Sequence, residues 1–276
     1  MTFLRRWLWD QWKIIHEESF EQGAPAPQSK KGPPPKPKLD WRPLVVLLTV
    51  AVSLTLQEYW GERSQFGEWF PPPADAFRWD GQSRWILTSF TWWSGWRFFG
   101  YLVMPMIVIA CIPGERIRDY GLSFKGFSRH VWIYVALFVA ILPLVIAVSY
   151  TTPFQRTYPF YKFAHRSTGE FLIWELLYAL QFLSLEFFFR GFMLQGLRRS
   201  IGAHAIWVMV VPYCMIHYGK PMSETMGAIV AGLILGTLAL RTRSIWCGVL
   251  IHISVAVTMD LLALSHCNHG IPCRGH

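Results

Sequence analysis

About seven apolar stretches govern what this chain can fold into, at approximately residues 43–60, 88–112, 130–150, 171–197, 203–218, 225–240 and 244–263. Each approaches the roughly 20 residues that a helix needs to cross a bilayer. In hydrocarbon every backbone N–H and C=O must find its partner within the segment, so stretches of this kind become helices. The expected fold is therefore all-α: a polytopic membrane bundle of about seven transmembrane helices. Composition agrees. Of the 276 residues 53% are hydrophobic and only 16% charged, against about 25% charged in a soluble domain. The 15 Trp and 20 Phe suit the two interfaces, where aromatic rings anchor spans. Arg97 interrupts the second stretch and Pro105 is placed to kink it. The fourth is longer than a span needs, so it begins at the interface.

The ends have a different character. Residues 4–20 put Leu4, Leu8, Trp12 and Ile15 on one helical face, the pattern of an amphipathic helix lying on a membrane. No uninterrupted apolar core follows the basic start, which argues against a signal peptide. Residues 22–40 are rich in Pro and Lys and read as an extended linker near anionic lipid. The expected organisation is an N-terminal segment over 1–42, a transmembrane domain over 43–263 and a Cys/His-containing tail over 264–276. Cys111, Cys214 and Cys247 lie in apolar segments and read as small fillers. Cys267 and Cys273 share the tail with His266, His269 and His276; a disulfide fits if the tail is external, whereas the spacing matches no standard zinc pattern.

The formal charge of +9 is read as a topology signal. Arg116, Arg118, Lys125 and Arg129, then Arg198 and Arg199, then Arg241 and Arg243 fall in alternate loops. Those loops are cytoplasmic by the positive-inside rule, which puts the N-terminus inside and the C-terminus outside. Nucleic-acid binding would need a basic face on a soluble domain, and none is evident, so membrane lipid and a membrane-associated peptide are the expected partners.

Ionisable residues at membrane depth are costly and usually functional. Glu186 and Arg190, four residues apart, share one helix face inside Leu176–Leu197. Glu175 precedes Glu186 by eleven residues, close to three turns, and joins the same stripe. Alone, the pair could serve only to neutralise itself and fix packing. Tyr213 and His217 are again four apart, with Pro212 beside them. Glu224 opens the sixth span, where a helix N-terminus favours negative charge and a plain cap would explain it. Ala228, Gly232 and Gly236 form a stripe for close helix packing. Gly248, His252, Ala256 and Asp260 share one face of the last span. Each residue has a bland explanation. Together, on four consecutive spans, they suggest one polar chamber that could activate water, stabilise an oxyanion or hold a divalent metal such as zinc.

In order and spacing these residues resemble the motifs of the CPBP (CAAX protease and bacteriocin-processing, or Abi) intramembrane endopeptidases, a family that includes the type II CAAX prenyl endopeptidases. Its Glu-Glu-x-x-x-Arg motif stands here as Leu185-Glu186-Phe-Phe-Phe-Arg190, followed by Gly191. Its Phe-x-x-x-His motif stands as Tyr213-Cys-Met-Ile-His217, and its His-x-x-x-Asn/Asp motif as His252-Ile-Ser-Val-Ala256. The similarity covers about residues 168–262. It implies an intramembrane endopeptidase in which Glu186, Arg190, His217 and His252 carry catalysis on a membrane-associated, conceivably lipidated, peptide. Arg190 would hold Glu186, His217 would position water and His252 would donate to the oxyanion. Two departures matter: Leu185 replaces the residue that would activate water, and Ala256 replaces the terminal polar residue. Glu186 cannot simply substitute, because one step along a helix turns a side chain by about 100°. Glu224 is the reserve base, and Asp260 the reserve for the lost terminal acid. The alternatives are a metal held by Glu186, His217 and His252, a non-catalytic pseudoprotease or immunity-type protein that binds a peptide, and, ranked last, a proton or ion pathway.

Overall fold

A computed structural model describes residues 40–72, 79–124 and 127–268. The proposed amphipathic helix, most of the linker and the tail beyond residue 268 lie outside them. The described residues from Leu44 onward form one compact unit. Among the described residues no strand forms, and the helices are α1 (Arg42–Tyr59), α2 (Arg63–Trp69), α3 (Trp79–Phe98), α4 (Met104–Cys111), α5 (Phe127–Ser149), α6 (Thr152–Thr157), α7 (Thr168–Glu186), α8 (Leu194–Ile201), α9 (His204–Met215), α10 (Met222–Thr242) and α11 (Trp246–Asn268). Two π-helical segments, Phe99–Val103 and Phe187–Met193, join α3 to α4 and α7 to α8.

Five helical runs are long and apolar enough to cross a membrane, and a sixth appears if α1 and α2, bent by 53°, count as one span. The fifth expected span is shorter than its apolar stretch. α9 has only 12 residues: the ladder runs past Pro212 to the Ile216 N–H, and the chain then closes in tight i→i−3 turns at His217 and Tyr218. The other expected spans correspond to α1, α3–α4, α5, α7–α8, α10 and α11.

The bundle turns apolar faces outward. On α1, Leu44, Leu47, Leu48 and Val52 are exposed while Ser53 and Gln57 are fully buried. Ser53 Oγ donates to the Gly100 carbonyl at 2.7 Å, and Gln57 Nε2 donates to Ser53 Oγ at 2.9 Å. A soluble helix would show the reverse pattern; here lipid is the solvent for the outer face. Arg97, the interruption in the second stretch, donates to Gln57 Oε1 at 3.0 Å and pairs with Glu62. Its charge is therefore met inside the bundle. Pro105 opens α4 directly after the first π segment, where the wider turn accommodates a residue without an N–H.

The second π segment is the centre of the main core. Phe187, Phe188, Phe189 and Phe192 are completely buried among Val46, Val50, Tyr101, Met209 and Val249. Gly191 within it has no side chain where one would press on the Tyr120 carbonyl, at 2.6 Å from an added Cβ. That lets the Tyr120–Leu122 strap lie against the segment; Ile245 N–H then donates to the Gly121 carbonyl at 3.0 Å. The strap draws several basic loops together at one end, where Arg199 pairs with Glu115.

Candidate functional site

The Glu186–Arg190 pair sits where α7 gives way to the π segment. Both side chains are buried, and Arg190 Nη1 lies 3.2 Å from Glu186 Oε1. α11 brings His252 to the same oxygen, with Nδ1 at 2.7 Å. Gly248, one turn before His252, makes this approach possible: a side chain there would collide with the Glu186 carboxylate. The contacts are short but bent. Both Glu186 oxygens, the three Arg190 guanidinium nitrogens and His252 Nδ1 have no aligned hydrogen-bond partner. Buried polar atoms in that condition are costly, and a charged pair is tolerable here because the two charges cancel.

Tyr213 completes the group from α9. Its hydroxyl is 3.0 Å from His252 Nε2, and the Arg190 guanidinium carbon lies 4.0 Å above its ring. The other face of His252 stacks on Phe182. The small-residue stripe of α10 packs on α9, as its spacing suggests: a Cβ on Gly232 would come within 3.0 Å of Tyr213 Cδ1, and one on Gly236 within 2.8 Å of Met209 Cε. Small residues there let the tyrosine ring seat against the helix.

His217 follows the end of α9. Its amide N–H turns back to the Cys214 carbonyl, which leaves the Tyr213 carbonyl free, and His217 Nδ1 lies 2.7 Å from that oxygen. A carbonyl only accepts, so Nδ1 carries the proton and Nε2 presents a lone pair. Thr225 Oγ1 donates to the His217 carbonyl at 2.9 Å and holds the turn to α10.

These groups share a cavity of about 250 Å³ lined by Tyr213, His217, Glu224, His252 and Ala256, with an apolar wall that includes Ile141, Leu144 and Val148 of α5. Glu224 occupies the rim with both oxygens engaged. Lys220 Nζ donates to one at 2.7 Å and the Tyr158 hydroxyl to the other at 2.7 Å. Burial first, then Tyr178 and Glu224, raises the Tyr158 hydroxyl well above its ordinary range, so it keeps its proton and remains a donor.

The expected residues thus fall at three depths. Tyr213, His217 and His252 face the cavity. Glu186 and Arg190 lie behind His252 and Tyr213. Glu224 stands at the rim, tied to Lys220 and Tyr158. Asp260 is fully buried and takes a 2.6 Å hydrogen bond from Trp174 Nε1; it belongs to a separate cluster with Glu175. The expected oxyanion donation by His252 meets a different arrangement, since both ring nitrogens face protein groups. The metal option also meets a different one. Among the described residues no three His, Cys, Asp or Glu side chains gather as ligands, because Tyr213 stands between His217 and the Glu186–His252 contact. His266 is engaged with Ser149 at 2.9 Å. Gly248 and Phe182 carry no chemical group, and their part in seating Glu186 and His252 had no signal in the sequence beyond helix-face position.

Residues 167–258 match the family model described as type II CAAX prenyl endopeptidase Rce1-like. The matched segment contains the three motifs and every cavity residue contributed by α7, α9 and α10, and it supports the resemblance read from the motifs. Searches of curated proteins and of solved structures give no significant match.

Proposed function

We propose that the protein is an intramembrane endopeptidase that hydrolyses a membrane-associated peptide in the cavity between α5, α9, α10 and α11. The observation that carries this reading is the meeting of His217 and His252 on one cavity with apolar walls, the first with an open Nε2 lone pair and the second backed by a buried carboxylate. His217 Nε2 accepts a hydrogen from water and orients it. The Glu186–His252 pair takes up the proton as the water oxygen attacks the peptide carbonyl, and returns it to the leaving nitrogen. Arg190 keeps Glu186 ionised and in place. The apolar wall suits an acyl, isoprenoid or transmembrane chain attached to the peptide, and the Lys220–Glu224 rim suits its polar end. The test is cleavage of membrane-anchored and S-farnesylated peptides by the purified protein in nanodiscs. Alanine at His217 or His252 is expected to abolish cleavage, and unchanged rates in both variants would refute the assignment.

A second reading rests on Leu185 and Ala256. Leu185 is packed in the main core, and Ala256 adds no polar group to the cavity, so the chain would bind a peptide without cutting it. Under that reading the wild type retains an uncleaved peptide, and Leu185→Glu gains cleavage. For location we propose a bacterial inner membrane with a cytoplasmic N-terminus, an orientation supported by the gathering of the basic loops near Gly121 and Ile245. Single cysteines at Arg118 and Lys220 of a cysteine-free background should react with an impermeant maleimide from opposite sides; labelling from one side would overturn this orientation.

A further inference from the structure

Tyr213 is a polar side chain on the cavity wall to which the reaction above gives no part. It is also held on several sides. Its residue is only 1% exposed, its ring lies beneath the Arg190 guanidinium, Phe189 meets it edge-on at 5.3 Å, and Gly232 lets it seat on α10. Its hydroxyl makes the aligned hydrogen bond of His252, at 3.0 Å to Nε2.

The direction of that bond follows from the neighbours. Glu186 is the buried anion that balances Arg190, and a carboxylate only accepts. A ring nitrogen 2.7 Å from it must carry hydrogen. In the neutral ring Nδ1 is therefore N–H and Nε2 is the acceptor, so the Tyr213 O–H donates to Nε2. Carboxylate, imidazole and hydroxyl follow one another, Glu186 in a short, bent contact with Nδ1 and Tyr213 hydrogen-bonded to Nε2; Tyr213 lines the cavity, and a guanidinium over its ring stabilises negative charge on oxygen.

We propose that Tyr213 is the water-activating residue of this site, the outer member of a Glu186–His252–Tyr213 proton relay; the proposal rests on the endopeptidase reading and names the group through which it works. The Tyr213 proton passes to His252 Nε2 as Tyr213 Oη takes a proton from the water held by His217. The water O–H bond breaks and its oxygen bonds to the peptide carbonyl carbon. The imidazolium so formed faces Glu186 at Nδ1. On collapse the C–N bond breaks, Tyr213 gives its proton to the leaving nitrogen, and His252 Nε2 returns one to Tyr213. No proton or electron is left over, and no co-reactant beyond water is required. The relay also explains how a chain with leucine at position 185 could still hydrolyse a peptide: the base reaches the cavity from α9 and α11.

The test uses the full chain in nanodiscs with an internally quenched peptide carrying an S-farnesyl cysteine, and the same peptide on a transmembrane anchor. Tyr213→Phe keeps the ring, its packing and the cation above it. It is expected to lower kcat by about 10²–10⁴ and leave KM within about twofold. His252→Gln and the double variant should lose about the same factor, since members of one relay are not additive. In ¹⁵N-histidine spectra the wild-type His252 should show a protonated Nδ1 and an acceptor Nε2, and Tyr213→Phe should shift Nε2. Cleavage by the wild type that survives Tyr213→Phe unchanged overturns the relay and leaves the endopeptidase reading standing. An unshifted Nε2 overturns it as well. Failure of the wild type to cut either peptide overturns the endopeptidase reading, and the relay with it.

Discussion

Glu186 has its carboxylate pressed against a glycine, a guanidinium and an imidazole. Removing the carboxylate strands Arg190, and breaking a buried pair by deleting one partner costs about 3–5 kcal/mol. Glu186→Ala should therefore lose stability of that order, read as a lowered denaturation midpoint in detergent. Gly248→Ala tests the same contact from the other side. The added methyl would displace the carboxylate, for an overpacking cost of about 1–3 kcal/mol, and should lower peptide cleavage as well; an unchanged melting temperature and rate would mean that the contact in the structure is not the one in solution. The acid, the base and the two histidines were legible in the sequence because charge within an apolar stretch stands out. Gly248 was not: a glycine on a helix face has no signature until the residue opposite is known. The Tyr213 hydroxyl was visible as a residue and silent as a donor, because its partner is 39 residues away on another helix.

The π segment is the element on which the site depends. Inside a regular helix Phe187–Met193 would present its side chains at steps of about 100°; the wider turn keeps all seven buried and still leaves Arg190 on Glu186. Apolar periodicity finds such a run as a span but carries no sign of the wider turn, which is why the fourth stretch read as one plain helix. The α9–α10 contact is the matching element on the other wall. Gly232 is open to a direct test: Gly232→Val drives a branched side chain into Tyr213 and Val210. It should lower kcat through displacement of Tyr213 while leaving the helical content of the circular dichroism spectrum intact. Equal kcat in the variant would show that the tyrosine need not be held there. Here spacing alone was a sound guide, because small residues at intervals of four identify a close packing face whatever the partner helix is.

For the whole molecule, the all-helical membrane architecture followed from length and apolarity, and the number of spans did not. Length counts apolar residues, whereas the turns at His217 and Tyr218 decide where the helix stops. The cavity lies beside that stop, with α5 as its outer wall. Ala231→Trp, a substitution on the α10 lining, should fill the space and raise KM severalfold for a lipidated peptide, with the wild-type melting temperature retained. A full rate at unchanged KM would place the substrate elsewhere. The short helix has one more consequence. At 1.5 Å per residue the 12 residues of α9 rise about 18 Å, against about 30 Å of hydrocarbon. Lipid that met α9 along its length would thin or bend to match it. On the endopeptidase reading, an aqueous boundary that dips towards the cavity from the side of His217 would bring the water for hydrolysis to it.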